Sequence, residues 1–138
     1  LVARGSVASE EDAFDRYLKD NGPAFVKTPW QTLPEAMRLV RETGGVAVMA
    51  HPGRYTFNPP LSNIDLLEEF KALGGNAIEV TTGSHSESEN ARYARVAKNM
   101  GFLASTGSDF HGLKPGRPDP GMQEPLPEDL PTVLELLG

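Results

Sequence analysis

The chain has 138 residues, 38% of them hydrophobic and 23% charged, with a net charge of −6 and no cysteine. That allows one domain with a modest core. It excludes disulfides, thiolate zinc sites, a cysteine nucleophile and a broad basic face for nucleic acid.

No apolar run approaches the roughly 20 residues of a membrane span. No segment has the order of a signal peptide. A cysteine-free chain suits the reducing cytoplasm, and cytoplasmic is the expected location.

Leu1-Val2-Ala3-Arg4-Gly5-Ser6 has two readings. It is a cleavage linker with Ala in place of Pro, or the last turn of a helix stopped by Gly5. Ser9-Glu10-Glu11-Asp12 then opens a helix with Ser9 as cap and an acidic first turn. Its apolar stripe is Ala13, Phe14, Tyr17 and Leu18, and Asn21-Gly22-Pro23 ends it. Ala24-Phe25-Val26 is short and extended, and Trp30 is expected to pack.

From Thr32 the pattern repeats. Thr32-Leu33-Pro34-Glu35 is a capping box, and its helix stops at Gly44-Gly45. Val46 to Ala50 is a continuous apolar run, expected as a strand covered on both faces. Ser62 or Asn63 caps the next helix, which stops at Gly74-Gly75 before the strand Ala77 to Val80. Ser86 or Ser88 caps the third, which stops at Gly101 before Phe102 to Thr106. Helix, glycine stop and apolar strand recur three times, which predicts a parallel α/β arrangement. Lys114 to Pro127 reads as a Pro- and Gly-rich loop. Glu128 to Leu137 reads as a last helix with Val133, Leu134 and Leu137 inward.

Ligands in such folds bind at the carboxyl ends of the strands. His51 follows the first strand, Asp109 and His111 the third, and Glu79 with Thr81 to His85 finishes the second. His51 is read as a metal ligand, with a satisfied turn histidine as the plain alternative. Arg54 suits phosphate through its planar fork, with a surface ion pair as the alternative. Asp109 and His111, two apart, face one site while Phe110 turns to the core. Ser108 makes local hydrogen bonds rather than acting as a nucleophile. Glu79 points either to the site or to a solvated face. His85 supports a ligand or faces the substrate, or simply precedes a helix.

The stretches Asp12 to Leu18, Pro23 to Val26, Ala50-His51-Pro52-Gly53-Arg54-Tyr55, Gly75 to Val80 and Gly83-Ser84-His85 to Ser108-Asp109-Phe110-His111 resemble the PHP (polymerase and histidinol phosphatase) family. Within it they are most similar to the bacterial branch that hydrolyses nucleoside 3',5'-bisphosphates and trims short RNA from the 5' end. The resemblance implies an α/β fold, the C-terminal part of a distorted (β/α)7 barrel preceded by the end of a helical insertion. Residues 1–26 would belong to the insertion and 27–138 to the barrel. In that branch a helix, a glycine and a second capped helix precede Asp12, so Leu1 to Ser9 is read as native.

The resemblance also implies up to three divalent metals in the complete domain. Mn2+ is the first expectation, with Zn2+, Fe2+ or Mg2+ as alternatives. Asp109 would serve the first metal, His51 the second and His111 the third. Arg54 would bind the substrate phosphate. From the residue reading alone, His85 is set beside it as substrate-facing, with Glu79 and Ser108 as supports of the ligands. The expected substrate is a nucleotide or short RNA, attacked by a metal-activated water.

The family's His-x-His motif and its bridging Glu are missing here. The only histidines are His51, His85 and His111. One donor per metal is too few, so the chain alone is expected to be weak or inactive and prone to self-association through bare surfaces. A non-catalytic PHP-derived module is the competing reading. An amidohydrolase-type barrel would show more histidines or a carboxylated lysine after its strands.

Overall fold

The computed structural model describes residues 1–113, 116 and 118–137. They divide into two compact units, Leu1–Gln31 and the remainder from Thr32. Among the described residues, no helix is long and apolar enough to cross a membrane.

In the first unit, Val2–Arg4 forms one 3-10 turn, closed by Gly5 in left-handed backbone at φ 66°. Helix α1 (Glu10–Ala13) starts where Ser9 Oγ accepts the Asp12 N–H, and it widens into a π-turn over Phe14–Leu18. The expected stripe is not sealed. Phe14 is 57% exposed and Leu18 50%. Trp30 does not pack either, at 85% exposed.

The second unit realises the threefold repeat. Helix α2 (Leu33–Glu42) precedes strand β1 (Val48–Met49), α3 (Asn63–Ala72) precedes β2 (Ala77–Thr82), and α4 (Glu87–Met100) precedes β3 (Leu103–Gly107). Each helix opens on a reciprocal capping box, Thr32 with Glu35, Ser62 with Asp65 and Ser86 with Glu89. So Ser62 rather than Asn63, and Ser86 rather than Ser88, is the cap. Each helix also ends alike. A glycine turns left-handed (Gly44, Gly74, Gly101) and the next N–H reaches back five residues, Gly45 to Val40, Gly75 to Phe70 and Phe102 to Ala97. This closure satisfies a carbonyl that the helix end leaves open and reverses the chain into the strand.

The strands pair in parallel in the order β1-β2-β3. Central β2 is the most enclosed, with Ala77, Ile78 and Val80 fully buried. Leu67 and Phe70 from α3, Tyr93 and Ala97 from α4, and Phe102 and Ala104 around β3 complete the core. Burying each large side chain is worth about 1.5–3 kcal/mol. The edge differs from expectation. Regular pairing of the Val46 to Ala50 run covers only Val48–Met49, and Val48 is 40% exposed. With no strand beyond it among the described residues, β1 has one solvated side.

The expected last helix is not formed. Pro131 offers its carbonyl to the Ala104 N–H at 2.8 Å, and Thr132 bridges Ala104 in parallel. The segment thus serves β3 as a short edge partner, where a missing proline N–H costs nothing. Only a 3-10 turn, Val133–Leu136, follows, and Leu134 and Leu137 are exposed rather than inward. Leu130 takes the inward place. In the expected Lys114 to Pro127 loop, Lys114, Pro115 and Arg117 lie outside the described residues.

Candidate metal and phosphate site

Parallel strands send their carboxyl ends to one edge of the sheet, so the segments after β1, β2 and β3 meet there. Past β1, His51 stands in left-handed backbone (φ 30°, ψ 59°) and starts a 3-10 turn, Pro52–Arg54. Past β3, Asp109 is also left-handed, at φ 47°. Among the described residues only Asn21 shares this among non-glycines. Such backbone costs on the order of 1–3 kcal/mol and gathers at functional sites. Here the two strained residues are two of the three candidate ligands.

Asp109 is the electrostatic centre. Its side chain is 8% exposed, and its Oδ2 accepts from Arg54 Nη1 at 2.8 Å. His111 Nδ1 lies 3.4 Å from Oδ1 and 2.7 Å from the Asp109 carbonyl. Burial pushes the Asp109 carboxyl up. The Ser84 hydroxyl, the Arg54 guanidinium and the His51 imidazole outweigh it, and the group is held below the ordinary carboxylate range. Arg54, Asp109 and His111 thus meet at one cleft, and His51 acts on Asp109 through its charge.

Arg54, Ser108, Asp109, Phe110, His111 and Pro118 line a cleft of about 110 Å³. That is well under the ~300 Å³ at which small-molecule pockets begin. It has room for an ion or a phosphate group and not for a nucleotide. Phe110 is 44% exposed at its rim instead of turning into the core. The left-handed turn at Asp109 breaks the strand alternation on which that expectation rested.

Glu79 does point to this edge. Its Oε2 accepts the His51 N–H at 2.7 Å. Its other oxygen lies against Gly107, where any side chain would collide with it. Ser108 lines the cleft, and its carbonyl lies so close to Gly83 that a Cβ there would strike it. His85 is set further in. Its Nε2 accepts the Gly53 N–H at 3.0 Å, its ring stacks on Tyr93, and its Nδ1 is buried. Burial pulls the His85 pKa below its ordinary 6.5, against the opposing Glu89, Val80 carbonyl, Glu79 and His51 carbonyl. Ser84, Asn63 and Tyr93 also support the site. Each reads from sequence as an ordinary loop, cap or core residue.

Both shifts make acid destabilising. Asp109 ionises more readily folded than unfolded, so its stabilisation is present above its ordinary 3.8 and is lost as pH falls through the lowered folded value. His85 loses its proton more readily folded, so its share is present above 6.5 and is lost as pH falls below that. The urea midpoint should therefore drop from pH 7 to pH 3, with the loss below pH 4 smaller in Asp109→Asn. An equal loss in the variant would show that Asp109 does not contribute.

The donors, one carboxylate and two imidazoles, are of the kind that manganese and zinc accept. His51 Nδ1 is also buried without a hydrogen-bond partner, as an atom meant for another ligand would be. Yet among the described residues no three His, Asp or Glu side chains form a group that could hold a metal. The chemistry of the donors fits, and their number falls short.

No protein-family model matches the chain. It is 40% identical over 127 residues to the 3',5'-nucleoside bisphosphate phosphatase of Chromobacterium violaceum, covering 92% of this chain and 44% of that protein. It is 37% identical over 111 residues to a 5'-3' exoribonuclease of Haemophilus influenzae, covering 80% and 40%. Among solved structures it is similar to a Chromobacterium violaceum protein described as an amidohydrolase with bound SO4 and no metal. That match has a TM-score of 0.78 and 37% identity, over 99% of this chain and 47% of the other. A Bifidobacterium adolescentis protein, described as of the metal-dependent phosphoesterase type, matches with a TM-score of 0.68 and 28% identity over 99% and 46%. The chain thus spans less than half the length of these relatives. By sequence and by fold it is similar to phosphoesterases of the PHP family over part of their length.

Proposed function

We propose that this chain carries one side of a divalent-metal-dependent phosphoesterase site. The substrates would be nucleotide phosphomonoesters, nucleoside 3',5'-bisphosphates or the 5' ends of short RNA. The observation that carries this reading is the cluster of Arg54, Asp109 and His111 around one small cleft at the strand ends, with the His51 imidazole close enough to favour the Asp109 anion. The activities named for the relatives, a bisphosphate phosphatase and an exoribonuclease, support it.

When bound, divalent metals supply Lewis acidity toward a phosphoryl oxygen and lower the pKa of a bound water. Mn2+ is the first choice, with Zn2+, Fe2+ and Mg2+ as alternatives. Asp109, His51 and His111 are this chain's ligands. Asp109 stays ionised at neutral pH because its neighbours favour the anion. Arg54 presents a fork of donors to phosphate oxygens and shares them with Asp109 until phosphate arrives. Glu79 and Ser108 hold the ligand-bearing turns.

Residues 1–26 are read as the end of a helical insertion and 27–138 as the C-terminal half of the (β/α)7 barrel. The remaining donors are expected from the part of the family domain outside these 138 residues. With a net charge of −6, the substrate contacts are local and no extended nucleic-acid surface is involved. The lack of cysteine suits the cytoplasm. The exposed flank of β1 offers a surface for self-association.

The competing reading is a non-catalytic module. The absence of a three-donor group among the described residues favours it for the isolated chain. Water-proton relaxation with Mn2+ tests the metal role. Enhancement is expected with the chain and should be lost in Asp109→Asn. Equal enhancement in both would remove Asp109 from the ligands.

A further inference from the structure

The turn His51-Pro52-Gly53-Arg54 carries two site groups and opens in unfavourable backbone at His51, φ 30°. Such a turn persists only where its surroundings hold it. Three side chains from other elements do so. Glu79 Oε2, from β2, accepts the His51 N–H at 2.7 Å. His85 Nε2, from the loop after β2, accepts the Gly53 N–H at 3.0 Å. Asn63 Nδ2, from the start of α3, donates to the Pro52 carbonyl at 2.8 Å and to the Tyr93 hydroxyl at 3.0 Å.

His85 is itself fixed. Its ring stacks on the fully buried Tyr93, with centroids 5.1 Å apart and planes at 22°. A Cβ on Gly53 would stand 2.8 Å from Nε2, so only glycine lets the ring come this close. A ring nitrogen that accepts a hydrogen bond carries no proton, so the proton sits on Nδ1. Nδ1 is buried. Neither nitrogen is then free for a phosphate.

We propose that His85 is a positioning residue, a neutral Nδ1–H imidazole whose Nε2 clamps the Gly53 amide. With Glu79 and Asn63 it fixes the turn that carries His51 and sets Arg54 at the cleft. This replaces the expectation that His85 meets the substrate. What the turn is aimed at rests on the phosphoesterase reading, whereas the clamp does not.

Nitrogen-15 NMR of the 138-residue chain tests it. His85 should show a protonated Nδ1, a bare Nε2 and a coupling across the hydrogen bond to the Gly53 nitrogen. His85→Ala should speed Gly53 amide exchange at least about tenfold and leave the sheet amides of Ala77 and Ala104 unchanged. His85→Gln, which keeps an acceptor, should restore part of the protection. An Nε2-protonated His85, or Gly53 exchange unmoved in His85→Ala, overturns the clamp. Should His85→Ala fail to fold, the wild-type tautomer and coupling decide alone. Inorganic phosphate separates the two readings. It should shift the Arg54 guanidinium signals and leave the His85 tautomer in place. Phosphate acting directly on the His85 ring nitrogens overturns the clamp. A silent Arg54 counts against the phosphate role and leaves the clamp standing.

Discussion

Tyr93→Ala is expected to cost roughly 3–5 kcal/mol of stability, the range for deleting a buried aromatic ring. Tyr93 is 0% exposed and sits in α4 against the sheet. Its ring supports His85, and its hydroxyl receives Asn63. The loss approaches the whole stability of many domains, about 5–15 kcal/mol. A fall in melting temperature of more than about 10 °C should follow. Tyr93→Phe separates the two parts of this effect. It keeps the ring and gives up only the hydroxyl contact, worth about 1 kcal/mol. Calorimetry on the three proteins reads both numbers. A shift of only a few degrees in Tyr93→Ala would mean that the ring is not a central part of the core.

The second large effect concerns activity. Given Mn2+ and a nucleoside 3',5'-bisphosphate, this chain should release phosphate at least ~100-fold more slowly than a full-length relative such as the Chromobacterium violaceum phosphatase. Losing one supporting partner of a metal ligand typically costs 10–100-fold, and the direct ligands missing here cost more. The cluster on this chain provides one carboxylate and two imidazoles, whereas a single catalytic zinc normally takes three protein ligands. A phosphate-release assay on both proteins at equal concentration measures the ratio. Rates within tenfold of each other would refute the incomplete-site reading. Any residual activity should vanish in Asp109→Asn, because the substitution removes the charge while keeping the shape.

Much of the second unit was legible beforehand because its signals are local. Capping boxes at Thr32, Ser62 and Ser86 lie within four residues, as do the glycine stops at Gly44, Gly74 and Gly101. Parallel pairing followed from the alternation, and it alone places His51, Asp109 and His111 at one edge. The weaker readings were those in which distant chain decides. Trp30 and Phe14 read as packed residues because apolar residues usually are, yet both are exposed. The Glu128 to Leu137 pattern suits a helix, but Ala104 takes the Pro131 carbonyl as a sheet partner.

By itself the sequence determined the kinds of donor, their order along the chain and the repeat that gathers them, since each depends on residue type and short spacing. Tertiary structure decided how they are engaged. Arg54 meets Asp109 across 55 positions, and His85 meets Gly53 across 32. The balance of burial and charge that holds Asp109 ionised also exists only once those segments touch. Hydrogen bonds and Coulomb forces act over a few ångströms of space, and no local pattern records which remote side chain will fill that space.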